Sequence, residues 1–214
     1  MTTDNNKETF DKVEKIIQGL VASNSNDEAK KAYAEWQSYD EDLDAYGYVA
    51  PRISVDKLRH MLPDTNASIY DAGCGSGKVG NLLAAAGYQQ LTGSDLSESM
   101  LQRAQLTGAY QALKIADFSK PLEEPDNHYD GLICVGVWND GFGETLTAEM
   151  LRITKPQASI VLSVRPQFMP SLEPQLQQLQ SQQVIASVKM ERSDYITGQK
   201  SEAFYVAIEI SKKS

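Results

Sequence analysis

The sequence has few of the residues that build disulfide frameworks and metal centres. Its 214 residues include two cysteines, Cys74 and Cys134, and two histidines, His60 and His128. So few thiols and imidazoles provide neither a disulfide framework nor a four-ligand zinc site. We therefore expect no metal, and we expect a cytoplasmic protein because free thiols are typical of reducing compartments.

Positive charge and long apolar runs are also scarce. Asp and Glu number 29 against 20 Lys and Arg, which gives a net charge of −9. A protein that binds the phosphate backbone of nucleic acids needs a basic face, and no apolar run approaches the roughly 20 residues that span a bilayer. The polar start of the chain also differs from a secretory signal. We therefore expect neither a nucleic acid nor a membrane as partner, and small molecules and proteins stay open.

Apolar residues nevertheless make up 41% of the chain, and their spacing predicts two kinds of structure. Before residue 68 it predicts three helices: one over residues 10–20, one that carries Trp36, and one over Val55–Met61. From Ser68 onward, short apolar runs alternate with helical stretches, which is typical of a parallel sheet covered by helices on both faces. The predicted strands are Ile69–Ala72, Leu91–Ser94, Ala112–Ala116, Tyr129–Val137, Ser159–Val164, Val184–Met190 and Ala203–Ile210.

Together these elements predict an α/β fold with a Rossmann-like, doubly wound sheet of seven strands, preceded by N-terminal helices. We expect the sheet to be mostly parallel and to end in an antiparallel hairpin, because only a polar loop separates the last two strands. Residues 1–67 are expected to form a helical lid or cap, and residues 68–214 the sheet domain, within one globular unit. In such folds ligands bind beyond the carboxyl ends of the strands.

The strongest local signal is a glycine-rich turn between a strand and a helix, YDAGCGSG at residues 70–77. Glycines have no Cβ atom, so a ligand can approach the backbone closely, and a helix N-terminus offers free N–H groups to an anion. Asp95 ends the next strand, where a carboxylate can bind the two hydroxyls of a ribose. The pattern therefore predicts a nucleoside-binding loop.

Two other glycine motifs were compared with this loop. A P-loop is excluded because Ala72 stands in place of its first glycine and Val79 in place of its Ser or Thr. The shorter dinucleotide pattern GxGxxG is met by Gly75, Gly77 and Gly80, so a nicotinamide cofactor stays open on this motif alone.

Four blocks of the sequence resemble the class I S-adenosylmethionine-dependent methyltransferases. They are YDAGCGSG, LTGSDLSESML, the Ala116–Phe118 segment and YDGLICVG. A weaker fifth block, LRITKPQASIVLSV, has Gln157 and Ala158 where the family usually has glycine. A narrower resemblance, over residues 33–51, is to the methyltransferase-like proteins named after the Williams–Beuren region, and it names no acceptor.

The resemblance implies S-adenosylmethionine as cofactor and makes residues 68–214 the S-adenosylmethionine-binding methyltransferase domain. The Asp95 carboxylate matches the family's ribose-binding acid, and the Asp117–Phe118 pair resembles residues that meet the adenine. The cofactor-binding residues that it implies are Asp71, Gly73, Cys74, Gly75, Gly77, Asp95, Leu96, Asp117, Phe118 and Val135.

Candidate acceptor-binding residues follow strands or lie in the aromatic segment Tyr33–Tyr48. The acceptor-binding candidates are Tyr39, Tyr46, Trp138 and Arg165, and the catalytic candidates are Tyr39, Asn139 and Asp140. The aromatic segment can form a lid or merely pack the helices onto the sheet, and its acidic residues are typical of a solvated face. Asn139 and Asp140 can equally cap the following helix. His128 and Lys155 precede strands, so we expect them at the opposite edge of the sheet.

The sequence thus predicts a methyltransferase (EC 2.1.1.-) that transfers a methyl group from S-adenosylmethionine to a small molecule. An oxidoreductase that binds NAD(P) and a non-catalytic S-adenosylmethionine-binding partner protein are the alternatives. The sulfonium already activates the methyl group, so the absence of an obvious histidine base does not argue against catalysis.

Overall fold

The computed structural model describes residues 13, 15, 16, 19, 26–197 and 201–211. The helix predicted over residues 10–20 therefore lies largely outside the described residues. Helices α1 (Asn26–Glu35), α2 (Tyr39–Tyr46) and α3 (Ala50–Met61) lead into the sheet. The strands are β1 (Ser68–Ala72), β2 (Gln90–Asp95), β3 (Ala112–Ile115), β4 (Tyr129–Val135), β5 (Thr154–Val164), β6 (Ile185–Ile196) and β7 (Ser201–Ile210). The helices between strands are α4 (Lys78–Ala85), α5 (Glu98–Leu106), α6 (Gly143–Ile153) and α7 (Met169–Ser181).

The seven strands form one sheet in the order β3-β2-β1-β4-β5-β7-β6. Strands β1 to β5 pair in parallel, and β7 pairs antiparallel with both β5 and β6. The predicted mixed Rossmann-like sheet with its C-terminal hairpin is confirmed. The strand order reverses between β1 and β4, and ligands of open α/β sheets bind in the crevice at such a switch point.

The core has one layer on each face of the sheet, because successive strand residues point to opposite faces. On β4, Leu132 packs with Leu172 of α7, whereas its neighbour Ile133 packs with Leu58 of α3 and Leu83 of α4. All five side chains are buried completely. Because each layer packs directly beneath the strands, the strand ends are fixed relative to one another, and with them the loops that form the site.

Three element boundaries differ from the sequence prediction. The acidic segment that was expected to be a solvated run is helix α2, which ends where Gly47 adopts a left-handed conformation (φ 80°). Helix α3 begins at Ala50 instead of Val55. Pro51 lies in its first turn, where backbone N–H groups have no partner within the helix, so the missing N–H of proline costs no hydrogen bond. Strand β6 continues to Ile196 instead of ending at Met190, because its polar residues pair with β7 along the edge of the sheet.

The segment after α2 is joined to the end of β6 by backbone hydrogen bonds. Val49 N–H donates to the carbonyl of Tyr195 (3.1 Å), and Thr197 N–H donates to the carbonyl of Gly47 (2.9 Å). These bonds bring the tyrosines before α3 to the carboxyl edge of the sheet. In the part of the chain that the structure describes, no helix combines the length and apolar character needed to cross a membrane.

Candidate functional site

A cleft lies at the carboxyl edge of the sheet, under helices α1 and α2. The ends of β1 and β2 contribute Gly73, Gly75 and Asp95 to its wall. The far wall contains Arg165, which follows β5, and Tyr195 from β6. The remaining lining residues are Tyr33, Trp36, Tyr39, Leu43, Tyr46, Tyr48, Met100, Val135, Gly136, Val137 and Ile196. The cleft therefore combines the predicted glycine loop and ribose-binding acid with an aromatic wall.

Gly75 is the glycine of the loop whose missing side chain opens space in the cleft. A Cβ atom on Gly73 would lie 2.2 Å from Val137 Cγ2, and one on Gly77 would lie 3.1 Å from Ala104 Cα. On Gly75 the nearest atom would be Tyr39 Oη at 4.0 Å, and its backbone is left-handed with φ 53°. Packing thus requires two of the glycines, whereas Gly75 leaves room for a ligand against the backbone.

The carboxylate of Asp95 is held beside this opening by two backbone groups. Gly75 N–H donates to its Oδ2 (3.0 Å), and Ser97 N–H donates to its Oδ1 (2.9 Å). Burial raises the pKa of Asp95, and these N–H donors oppose that rise. Each carboxylate oxygen has two lone pairs, so both oxygens can still accept from two ribose hydroxyls. The donor set and the open cradle at Gly75 fit an adenosine moiety.

The Asp71 and Cys74 side chains lie behind the loop and do not line the cleft, although both were predicted to bind the cofactor. Asp71 Oδ2 accepts a hydrogen bond from Tyr110 Oη (2.6 Å), and Gly80 N–H donates to that same phenol oxygen (3.0 Å). Burial raises the pKa of Asp71 to about 7. Cys74 packs against α5, and burial raises the pKa of its thiol.

The predicted adenine pair is also outside the cleft lining. Asp117 accepts hydrogen bonds from the N–H and hydroxyl of Ser119 (3.1 and 2.7 Å), and with Lys120 nearby these lower its pKa. Phe118 is buried in the core. Leu96 likewise does not line the cleft, whereas Val135 does, as expected.

The segment after β4 does not supply the expected acceptor residues. Trp138 is only 2% exposed, and its indole N–H donates to Thr147 Oγ1 (3.1 Å) inside the core. Asn139 Oδ1 accepts from Gly141 N–H (2.8 Å), and Asp140 is exposed. Neither caps α6, whose N-cap Phe142 has no side-chain hydrogen bond. None of the three candidate residues lines the cleft, and for Trp138 the packing of α6 accounts for this.

The expected lid residues Tyr39 and Tyr46 do line the cleft. The ring of Tyr39 packs edge-on against Trp36 (centroids 5.0 Å apart) and Tyr33 (5.9 Å). Burial raises the pKa of Tyr33, Tyr39 and Tyr48, so these phenols stay protonated at neutral pH. They can donate hydrogen bonds to a ligand but cannot act as bases there.

Sequence reasoning missed one residue of the far wall, Tyr195, which lies beside Gly136. The Tyr195 ring packs edge-on against Tyr48, with centroids 5.0 Å apart. A Cβ on Gly136 would lie 2.6 Å from Tyr195 Oη and 3.0 Å from Tyr48 Oη. No local motif marks Tyr195, since the strand that carries it is distant in sequence from the other cleft residues.

The residues predicted at the opposite edge of the sheet are found there. Lys155 pairs with Asp130 (2.7 Å), which follows the first residue of β4. The ring of His128 packs edge-on against Tyr129. Among the residues the structure describes, no group of three His, Cys, Asp or Glu side chains is placed to hold a metal ion.

Known proteins with similar sequences support the family resemblance. Residues 69–157 match the family described as a methyltransferase domain. Human methyltransferase-like protein 27 is 37% identical over 137 residues, which cover 62% of this chain and 56% of the human protein. The match thus spans about half the length of that curated relative.

Solved structures with the same fold include one with a bound cofactor product. Magnesium protoporphyrin IX methyltransferase from Synechocystis PCC 6803, solved with S-adenosylhomocysteine, has a TM-score of 0.60 at 18% identity, covering 86% of this chain and 98% of that one. The 4+2 cyclase SpnF has a TM-score of 0.65 at 14% identity, covering 90% and 98%. The fold thus also occurs in a protein named for a different reaction, so the fold alone does not define the activity.

The family match, the curated relative and the fold agree with the motifs at the cleft, and they support S-adenosylmethionine as the cofactor. Residues 69–157 therefore match the methyltransferase-domain family, and the chain is similar in motifs and fold to the class I, S-adenosylmethionine-dependent methyltransferases.

Proposed function

We propose that this protein is a methyltransferase that transfers the methyl group of S-adenosylmethionine to a small molecule. The observation that carries the proposal is the pairing of Asp95 with Gly75. Their hydrogen bond (3.0 Å) places a carboxylate with free lone pairs beside a backbone that has open space in front of it. Asp95 would hold the ribose of the cofactor, and the open space at Gly75 would accommodate the adjoining part of the molecule.

When bound, the cofactor supplies a sulfonium methyl: the acceptor's lone pair bonds to the methyl carbon, and the carbon–sulfur bond pair leaves with the sulfur. The protein's part is to align these atoms, an orientation effect that can contribute several kcal/mol. Val135, Gly136 and Val137 form the floor of the cleft beyond the glycine loop. Tyr39 and the rings beside it exclude water from above.

The site favours an acceptor atom that needs no base from the enzyme. Among the described residues that line the cleft there is no histidine, and Asp95 is the one carboxylate. Tyr39 and Tyr48, whose pKa values are raised by desolvation, hold their protons at neutral pH. The acceptor atom is therefore expected to carry its lone pair in the bound state, or to release its proton to water.

An enclosed, aromatic cleft supports a small molecule over a macromolecule as acceptor. The rings of Tyr33, Trp36 and Tyr39 stand over the cleft instead of leaving an open groove. The net charge of −9 also disfavours a nucleic-acid backbone.

Isothermal titration of the purified chain with S-adenosylhomocysteine and with NADH tests the cofactor part of the proposal. We expect micromolar affinity for S-adenosylhomocysteine and no measurable heat with NADH. Binding of NADH alone would establish the oxidoreductase alternative. Binding of S-adenosylhomocysteine without methyl transfer to any small molecule would favour the alternative of a non-catalytic S-adenosylmethionine-binding partner protein.

A further inference from the structure

Arg165 is the one basic side chain among the described residues that line the cleft. It directly follows Val164, the last residue of β5, and it is partly buried. No Asp or Glu carboxylate in the described ranges lies within ion-pair distance of its guanidinium, whose recorded contact is with the ring of Tyr195. Among the described residues its guanidinium also has no hydrogen-bond acceptor, so its N–H donors are available to a ligand in the cleft.

The guanidinium is held in place by an aromatic support. It lies over the Tyr195 ring, 5.8 Å from the centroid, which is a cation–π distance. Tyr195 Oη lies 3.4 Å from Tyr48 Oη, and the backbone of Tyr48 bridges to Ile196. This Tyr48–Tyr195 support restricts the guanidinium, so less freedom is lost when a ligand binds to it.

Arg165 lies at the end of the cleft opposite the ribose-binding acid. Asp95 ends β2 and Arg165 follows β5, and the sheet order places β1 and β4 between these strands. Three strand spacings correspond to about 14 Å. The glycine loop and Val135–Val137 occupy that interval, so the acceptor rather than the adenosine is expected beside Arg165.

We propose that the methyl acceptor carries a carboxylate, which Arg165 binds through its two-pronged guanidinium, and an apolar or aromatic body that lies along the tyrosines. This inference rests on the proposed function and names its substrate class. The planar guanidinium matches both oxygens of a carboxylate. The tyrosine hydroxyls and the ring faces of Tyr48 and Tyr195 accommodate the rest of the molecule.

The test uses three pairs of probes: acetate and acetamide, benzoate and benzamide, 3-phenylpropanoate and 3-phenylpropanamide. Each is titrated by ligand-observed NMR into the full chain saturated with S-adenosylhomocysteine. We expect at least one carboxylate to bind roughly tenfold more tightly than its amide, the scale of a charge-assisted hydrogen bond. Arg165→Gln should remove this preference, and Arg165→Lys should retain only part of it because the fork is lost.

Arg192→Gln is the matched control. Arg192 also lies over an aromatic ring, that of Phe204 (5.9 Å), but it pairs with Glu202 (2.6 Å) and does not line the cleft. Arg192→Gln removes the same charge as Arg165→Gln. Because Arg192 lies outside the cleft, this variant should leave the carboxylate preference unchanged. Equal binding of all three pairs in the wild type, or a preference that survives Arg165→Gln, would overturn the proposal.

A second arm distinguishes the acceptor's carboxylate from that of the cofactor's methionine moiety. S-adenosylhomocysteine has this carboxylate, whereas 5′-methylthioadenosine lacks it. We expect Arg165→Gln to bind both within about twofold of the wild type. Selective loss of S-adenosylhomocysteine would assign Arg165 to the cofactor and overturn the proposal. A wild type that binds neither compound would instead contradict the proposed function, and this inference with it.

Discussion

The hydroxyl of Ser76 donates a hydrogen bond to Asp40 Oδ1 at 2.7 Å, which joins helix α2 to the glycine loop. Lys78, the first residue of α4, adds ion pairs to Asp44 (2.8 Å) and Asp40 (3.4 Å). Two acids that the sequence suggested were a solvated face thus contact the glycine loop and the first residue of the helix that follows it. We expect the position of α2 to respond to what the loop holds.

The first prediction concerns this response. Cofactor binding should protect the Tyr33–Tyr48 segment from protease, because closure over a ligand is a common use of such segments. Limited proteolysis with and without S-adenosylhomocysteine measures it. Tyr39→Ala should weaken the protection and reduce methyl transfer while 5′-methylthioadenosine still binds. Tyr39→Phe keeps the ring that packs on Trp36 and should behave like the wild type. Identical cleavage with and without ligand would show that the segment only packs.

Gly75→Val should abolish binding of S-adenosylhomocysteine, because the added side chain fills the open space before the loop. Gly108→Val is the matched control: Gly108 has a similar φ of 69° but nothing within 4 Å of its Cβ position. Both variants carry the same backbone strain, so thermal melts should show similar losses of stability. Titration calorimetry should find wild-type affinity in Gly108→Val alone. Normal affinity in a folded Gly75→Val would remove Gly75 from the site.

Asp95→Ala should weaken S-adenosylhomocysteine binding by about 1.5–3 kcal/mol, the scale of hydrogen bonds to a charged group. That corresponds to roughly a 10- to 100-fold higher Kd. Asp56→Ala removes a partly exposed acid of α3 whose ion pairs are with the exposed Arg52 and Arg59, and it should change affinity little. Equal affinities of Asp95→Ala and the wild type would exclude Asp95 from ribose binding.

Asp71 gives a pH dependence of stability that an asparagine removes. Burial raises the pKa of Asp71 to about 7, against 3.8 for the ordinary group. Between these values the folded state binds the extra proton, so the free energy of unfolding falls as the pH rises from about 4 to about 7. Asp71→Asn can still accept from Tyr110 and should gain stability relative to the wild type across this window. Urea denaturation at pH 4.5, 6 and 7.5 measures the difference, and a constant difference would refute the shift.

The sheet, the glycine loop and Asp95 could be predicted because each is marked by local spacing. A strand, a glycine turn and an acid at the end of the next strand follow one another in sequence, and the parallel sheet brings their ends together. Trp138 was misassigned because its position after β4 suggested the mouth of the cleft. Its indole N–H instead donates to Thr147, nine residues later on α6. This contact depends on how α6 packs against the sheet, which the sequence alone does not show.

The far wall could not be predicted, since long-range pairing builds it. Tyr195 lines the cleft because β6 extends to Ile196, whose backbone forms a bridge with Tyr48. Tyr48 and Ile196 are far apart in the chain. No single segment contains that contact. Asp40 is a comparable case. A run of acidic residues suggests a solvent-exposed face, and only the tertiary structure shows that Asp40 accepts a hydrogen bond from Ser76.

Transfer of a labelled methyl group is the most direct test of the account. The full chain is incubated with methyl-tritiated S-adenosylmethionine and a small-molecule extract of the cells that produce the protein. The reaction mixture is then separated by ion exchange into acidic, neutral and basic fractions. Gly75→Val serves as the background. We predict that a compound of the acidic fraction becomes labelled and that an equal amount of S-adenosylhomocysteine is formed. Arg192→Gln should still label this compound, and Arg165→Gln should not. Label that never exceeds the background in any fraction, from a wild type that binds S-adenosylhomocysteine, would contradict the account.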